Sequence, residues 1–229
     1  MKSLPALCGV IIFIRLSLPS CAQNNIDSIY GLDPLLHNGR NYSFSLSYET
    51  VGHPFIHTKN YEPGYVVIRD KKFKDILLNY DIYNQELILK YQDMHGANNL
   101  IKLSKAWLRM FYLNNNEFVL METEDGKQGF FQVIGSESLK VLYSWQKKMS
   151  LTNVAGKSNY QFSEPVKTMY LFRNEEFFRF KNNKSFIAYF EPGLRDSVKK
   201  YLTQNKINVR RASDENMLNL ITFCSHIEN

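Results

Sequence analysis

Apolar residues along this chain fall in short bursts. Between residues 42 and 180 they occupy 42–48, 65–69, 75–79, 86–91, 100–103, 108–113, 118–122, 130–134, 139–145, 160–162, 168–172 and 177–180, each rich in Val, Ile, Phe or Tyr. Those lengths and compositions predict β-strands. Phe44, Leu46 and Tyr48 alternate with Ser43, Ser45 and Ser47, which gives that segment one inward and one outward face. Turn formers separate the bursts: Asn114-Asn115-Asn116, Glu124-Asp125-Gly126-Lys127, Gly135-Ser136 and Asn182-Asn183. Asp125-Gly126 supplies the positive-φ positions of a tight hairpin. Burst centres lie about ten residues apart, the rhythm of an antiparallel meander. Roughly ten to twelve strands are expected.

The period changes near the C-terminus. Leu194, Val198, Tyr201 and Leu202 recur at helical spacing after Pro192-Gly193, and the pattern stops near Asn205. A second helix is expected after Ser213, whose hydroxyl can cap free N–H groups, with Asp214 and Glu215 favouring the positive end of the dipole. Its apolar face would be Met217, Leu218, Leu220, Ile221 and Cys224. Helices this short need a sheet to pack on. The expected fold is therefore mainly β (α+β by count), an antiparallel meander forming an open sheet or half-barrel, with two C-terminal helices packed on it.

The start of the chain reads differently. Lys2 is followed by an almost wholly apolar stretch over residues 4–14, about half of what the ~20 residues of a spanning helix require. A charged start, a short apolar run and a small-residue exit predict a secretory signal peptide over 1–22, although Arg15 interrupts the run. Ser20-Cys21-Ala22 before Gln23 suits an ordinary cut between Ala22 and Gln23. Leu18-Pro19-Ser20-Cys21 alternatively resembles a lipobox, with Cys21 the lipidated residue; Pro19 is unusual in that pattern, so the ordinary cut is preferred. No later apolar run approaches the ~18 residues of a spanning helix, so no transmembrane span is expected in the mature chain.

With 229 residues, 44% hydrophobic and 22% charged, the chain can bury a sizeable core, and disorder is excluded as its main state. One β-rich domain over 23–229, helical over about 184–229, is expected. Cutting before Gln23 removes Lys2 and Arg15 and leaves 26 basic against 22 acidic residues. Lys147-Lys148, Lys199-Lys200 and Arg210-Arg211 are isolated pairs, so no nucleic-acid interface is expected. Of the three cysteines, Cys8 and Cys21 belong to the leader and its edge. Cys224 is then left without a disulfide partner, as a buried small hydrophobe.

Candidate chemistry is sparse. His53-Pro54-Phe55-Ile56-His57 places two imidazoles about 13 Å apart on one face if extended, too far for one metal ion, and no third ligand motif accompanies them. No metal or cofactor is expected. Asp81, in Tyr80-Asp81-Ile82-Tyr83-Asn84-Gln85, suits a turn; facing Glu86 or Asp93 it would instead suit a general base. His53 and Asp81 are the weak polar candidates. Nucleophile-elbow, Ser-x-x-Lys and phosphate-loop signatures are missing, and the glycines are scattered singly. Rings are plentiful: Phe130-Phe131, Phe177-Phe178, Trp107, Phe111-Tyr112, Tyr143 and Trp145 fall on both faces of several strands. The face turned away from the core needs cover by the helices, a second sheet, a partner or a ligand.

Asn38-Gly39-Arg40-Asn41-Tyr42, Gly52-His53-Pro54-Phe55, the segment 79–85, Lys200-Tyr201-Leu202 with Asn205-Lys206-Ile207, and a leader ending Ala-Gln together resemble uncharacterised exported proteins of Bacteroidota. The resemblance implies an envelope or periplasmic location and transfers no catalytic residue. The expectation is an exported, non-catalytic module for a hydrophobic or glycan ligand or for another envelope protein. The alternative is an exported hydrolase of glycan or peptide using Asp81 or Glu122 and His53.

Overall fold

A computed structural model describes residues 32–44, 50–123, 126–135, 138–154 and 157–228. The expected leader with Cys21, Ala22 and Gln23, the alternation at Leu46 and Tyr48, and Asp125 and Ser136 lie outside these. The strands are β1 (Arg40–Asn41), β2 (Glu62–Ile68), β3 (Lys71–Asp81), β4 (Glu86–Gln92), β5 (Asn98–Lys102), β6 (Leu108–Leu113), β7 (Asn116–Glu122), β8 (Gln128–Ile134), β9 (Lys140–Gln146), β10 (Met149–Val154), β11 (Lys157–Phe162), β12 (Val166–Arg173) and β13 (Glu176–Phe180). Three helices follow: α1 (Asn183–Ala188), α2 (Pro192–Gln204) and α3 (Asp214–Glu228). The mainly β architecture with two C-terminal helices is as expected; α1 is additional. Asn182 and Asn183 read as a turn, but the Asn182 side chain accepts from the Ser185 amide and caps α1. Ser213 caps α3 as expected, through the Asn216 amide.

Eleven antiparallel strands form one open sheet in the order β1-β5-β4-β3-β2-β6-β7-β8-β9-β12-β13, and β10 and β11 form a separate hairpin. A single meander was expected. Two meanders instead share β2, because the chain leaves β5 and returns on the far side of β2 as β6. Tight turns close the hairpins: Asn114 and Asn115, both at positive φ, join β6 to β7. Gly64 sits where β2 bulges, and a Cβ there would lie 2.3 Å from the Tyr112 carbonyl oxygen, so only glycine fits.

From β2 to β13 one face of this sheet is inward. Register carries it from Val66 to Phe111, Phe118, Gln132, Tyr143, Met169 and Phe180. In the N-terminal half the sheet curls onto itself. The Tyr80 ring on β3 lies 5.4 Å from Phe130 on β8, four strand steps away, where a flat sheet would put them about 19 Å apart. Phe111 stacks on Phe118 at 4.6 Å inside the curl. In the C-terminal half the helices cover the same face: Phe186, Val198, Leu202, Met217, Leu220, Ile221 and Cys224 pack on Val141, Tyr143 and Leu171. Leu218, expected on the apolar face of α3, is instead exposed.

Trp145 packs against both cores. Beside it, Gln132 is the polar member of the inward row, 2% exposed. Its Oε1 accepts from Trp145 Nε1 at 2.7 Å, and its Nε2 donates to Asn116 Oδ1 at 2.8 Å and to Asp214 Oδ2 at 2.7 Å. A buried amide so fully partnered fixes the joint between the halves without an orphaned group.

Candidate functional site

The rings on the outward face are where sequence and structure part. Helices were one of the covers expected for them, yet they lie on the inward face with the core. Phe131, Tyr170, Phe172 and Phe177 point the other way and pack on one another. Tyr170 and Phe177 meet edge to face at 5.8 Å and 89°, and Phe131 lies 5.4 Å from Phe177. Alternation along β8, β12 and β13 sets this directly, because each neighbour of an inward ring faces out.

Phe131, Tyr170 and Phe177 form the floor of a groove of about 580 Å³. Its rim is polar: Gln128 and Gln146 present amides, Ser144 a hydroxyl, and Lys127 and Arg179 positive charge, while the Gln85 side chain, already hydrogen-bonded, forms one wall. Among the described residues, no carboxylate, imidazole or thiol lines it. Gln85 comes from the β3–β4 turn, on the other half of the sheet. It is held at φ 59° by three hydrogen bonds: Nε2 donates to the Trp145 and Ile82 carbonyls at 2.8 Å, and Oε1 accepts from the Tyr80 hydroxyl at 2.7 Å. Sequence gave no sign that these residues meet; only the outward rings were visible.

Asp81 is placed as a turn residue. Its Oδ1 accepts from the Tyr83 and Asn84 amides, and its Oδ2 from the Tyr42 hydroxyl and the Asn84 side chain, at 2.8–3.0 Å. At 0% exposure with four donors, this carboxylate has no free lone pair to offer a substrate. Burial, then the Asp81 charge, pushes the Tyr42 phenol well above its usual range. Glu86 is the register partner of Asp81. Asp93 accepts from the His95 and Ala97 amides and from Asn99 at the β4–β5 turn, and Glu122 is exposed at the end of β7. None of these acids shares a described pocket with Asp81.

The two histidines do come together, which an extended reading of the segment does not predict. The segment is not a regular strand: Phe55 alone bridges Asp81, with bends on either side, and His53 and His57 line one 360 Å³ pocket with Lys147 and Glu164. Lys147 Nζ donates to the His53 and Phe55 carbonyls at 2.9 and 2.8 Å and so pins the loop. Desolvation lowers both imidazoles below the ordinary histidine range; Lys147 and Lys59 deepen the shift at His53, while Asp214 opposes it at His57. Among the described residues, no group of three His, Cys, Asp or Glu side chains is arranged to hold a metal, and no helix is long and apolar enough to cross a membrane.

No protein-family model, curated protein or solved structure matches this chain.

Proposed function

We propose that the protein is an exported cell-envelope module that binds a glycan in the groove over β8, β9, β12 and β13 and performs no chemistry on it. The observation that carries this reading is the Tyr170–Phe177 ring pair beneath a rim of side-chain amides. The apolar face of a sugar stacks on such rings, while planar amides exchange hydrogen bonds with its hydroxyls. Glycoside hydrolysis needs two carboxyl groups flanking the bond, about 5–9.5 Å apart. The described lining offers none, and Asp81 is already saturated, so a hydrolase is the weaker reading. Export rests on the leader-like start, and an envelope location on the resemblance to exported Bacteroidota proteins.

Two measurements test this. Purified protein is screened against an oligosaccharide panel, and Tyr170→Ala and Phe177→Ala are expected to weaken the best binder by about tenfold or more. Release of shortened saccharides would overturn the non-catalytic reading. Mass spectrometry of the cellular protein is expected to give Gln23 as first residue. A lipid on Cys21 would make it an anchored module, and retention of Met1 would remove the export claim.

A further inference from the structure

β12 is longer than the strand that covers it. β13 ends at Phe180, opposite Met169, whereas β12 continues to pair with β9 through Thr168, Lys167 and Val166. Those three residues are therefore strand-paired on one side only. Beyond Phe180 the chain leaves the sheet at Lys181 and turns into α1. A groove of about 870 Å³ occupies the place of the missing strand, walled by β12 on one side and by Lys181, Asn182, Asn208 and Arg210 on the other.

Four cations line this groove: Lys167, Arg179, Lys181 and Arg210; no described carboxylate does. Among the described residues, none of the four forms an ion pair. Lys167 lies over the Tyr143 ring at 3.9 Å instead. Val166, at the open end, is 62% exposed. A lone edge lysine deters pairing with any strand. Asp214 lies within electrostatic reach of Lys167, and Arg179 belongs to the outward face beside Tyr170, which leaves Lys181 and Arg210 as the exposed cations of the far wall. That wall disfavours a basic strand and makes an acidic one the matching partner.

We propose that this notch docks an extended acidic segment of a partner protein, which adds as a short strand to the open edge of Val166, Lys167 and Thr168 with carboxylates facing Lys181 and Arg210. Backbone pairing supplies the register, and the cations supply the selection. This site is independent of the glycan groove, although Arg179 touches both.

The test uses a fluorescein-labelled, end-blocked octapeptide of alternating Glu and Val, read by anisotropy at low and raised salt. Charge and backbone are what the notch reads, so this generic sequence suffices. Binding is expected to weaken with salt and to fall about tenfold or more in the Lys181→Glu/Arg210→Glu double variant, whose changes are at exposed positions. Two further peptides, N-methylated on every Glu or on every Val, separate strand addition from charge attraction. One is expected to lose binding and the other to keep it, because only alternate amides face the edge. Equal behaviour of the two methylated peptides, unchanged binding by the double variant, or no binding at millimolar peptide would each overturn the proposal. So would an acidic oligosaccharide that displaces the peptide and outcompetes it.

Discussion

The side-chain amide of Gln85 donates to the backbone carbonyl of Trp145 at 2.8 Å, joining a turn in the first meander to a strand of the second, sixty residues on. The same amide accepts from the Tyr80 hydroxyl, whose ring is held inside the curl by Phe111, Phe118 and Phe130. Gln85→Ala orphans all three partners, the Trp145 and Ile82 carbonyls and the Tyr80 hydroxyl, and keeps a Cβ at positive φ. The expected loss is about 2–4 kcal/mol in urea unfolding. Gln85→Gly orphans the same groups but relieves the backbone, so its midpoint should lie above that of the alanine variant. The reverse order would show that the positive φ at residue 85 carries no strain, and wild-type stability in both variants would show that the hydrogen bonds do not latch the turn.

Asp81 allows a clean separation of structure from chemistry. Asp81→Asn places an amide N–H₂ or a weaker acceptor where four donors converge, and should cost about 2 kcal/mol of stability. Ligand affinity at the ring-floored groove should stay unchanged at temperatures where the variant is folded. A variant with wild-type stability and lost activity on any glycan would reverse the assignment.

Acid should loosen the protein through His53 and His57. Both have folded pKa values below the unfolded value of about 6.5, so the unfolded chain takes up protons first as pH falls. Stability is unaffected by these groups well above pH 6.5, declines as pH drops through that value, and levels off below the folded pKa values. A His53→Asn/His57→Asn variant should show a smaller drop in Tm between pH 7.5 and 5.5 than the parent. An identical drop would place the acid sensitivity elsewhere.

Cys224 reports on the helical core. Burial, with Glu228 nearby, pushes its thiol up to about 12, and the residue is wholly enclosed. In a chain beginning at Gln23, dithionitrobenzoate should find no reactive thiol under native conditions and one in denaturant. Fast native labelling would mean that α3 lifts from the sheet.

Much of the architecture is legible in the sequence because strand alternation and helical spacing are local. The bursts at 108–113, 118–122 and 130–134 are legible as strands from composition alone, but which ring of Phe130-Phe131 faces inward is not. β10 escapes notice since Ser150, Thr152 and Asn153 dilute it, and it pairs only with β11; its Leu151 is exposed. α1 escapes because asparagine serves a turn and a helix cap equally well. Strand order is not local: nothing near Val66 signals that both β3 and β6 will flank it. The groove depends on that order, which brings Gln85 to Gln146 and sets Phe131 beside Phe177. Asp81 was readable as a turn former because its partners lie within three residues, apart from Tyr42.

The unbroken inward row from Val66 to Phe180 bears on how the chain tolerates insertions and deletions. β8 contributes Phe130 to the curled half and, through Gln132, the tie to α3. One residue inserted between Gly129 and Phe130 would turn both outward and bring Phe131 and Val133 in, disturbing both halves at once. Length variation should therefore be accepted at hairpin tips such as 93–97 and refused within 128–134.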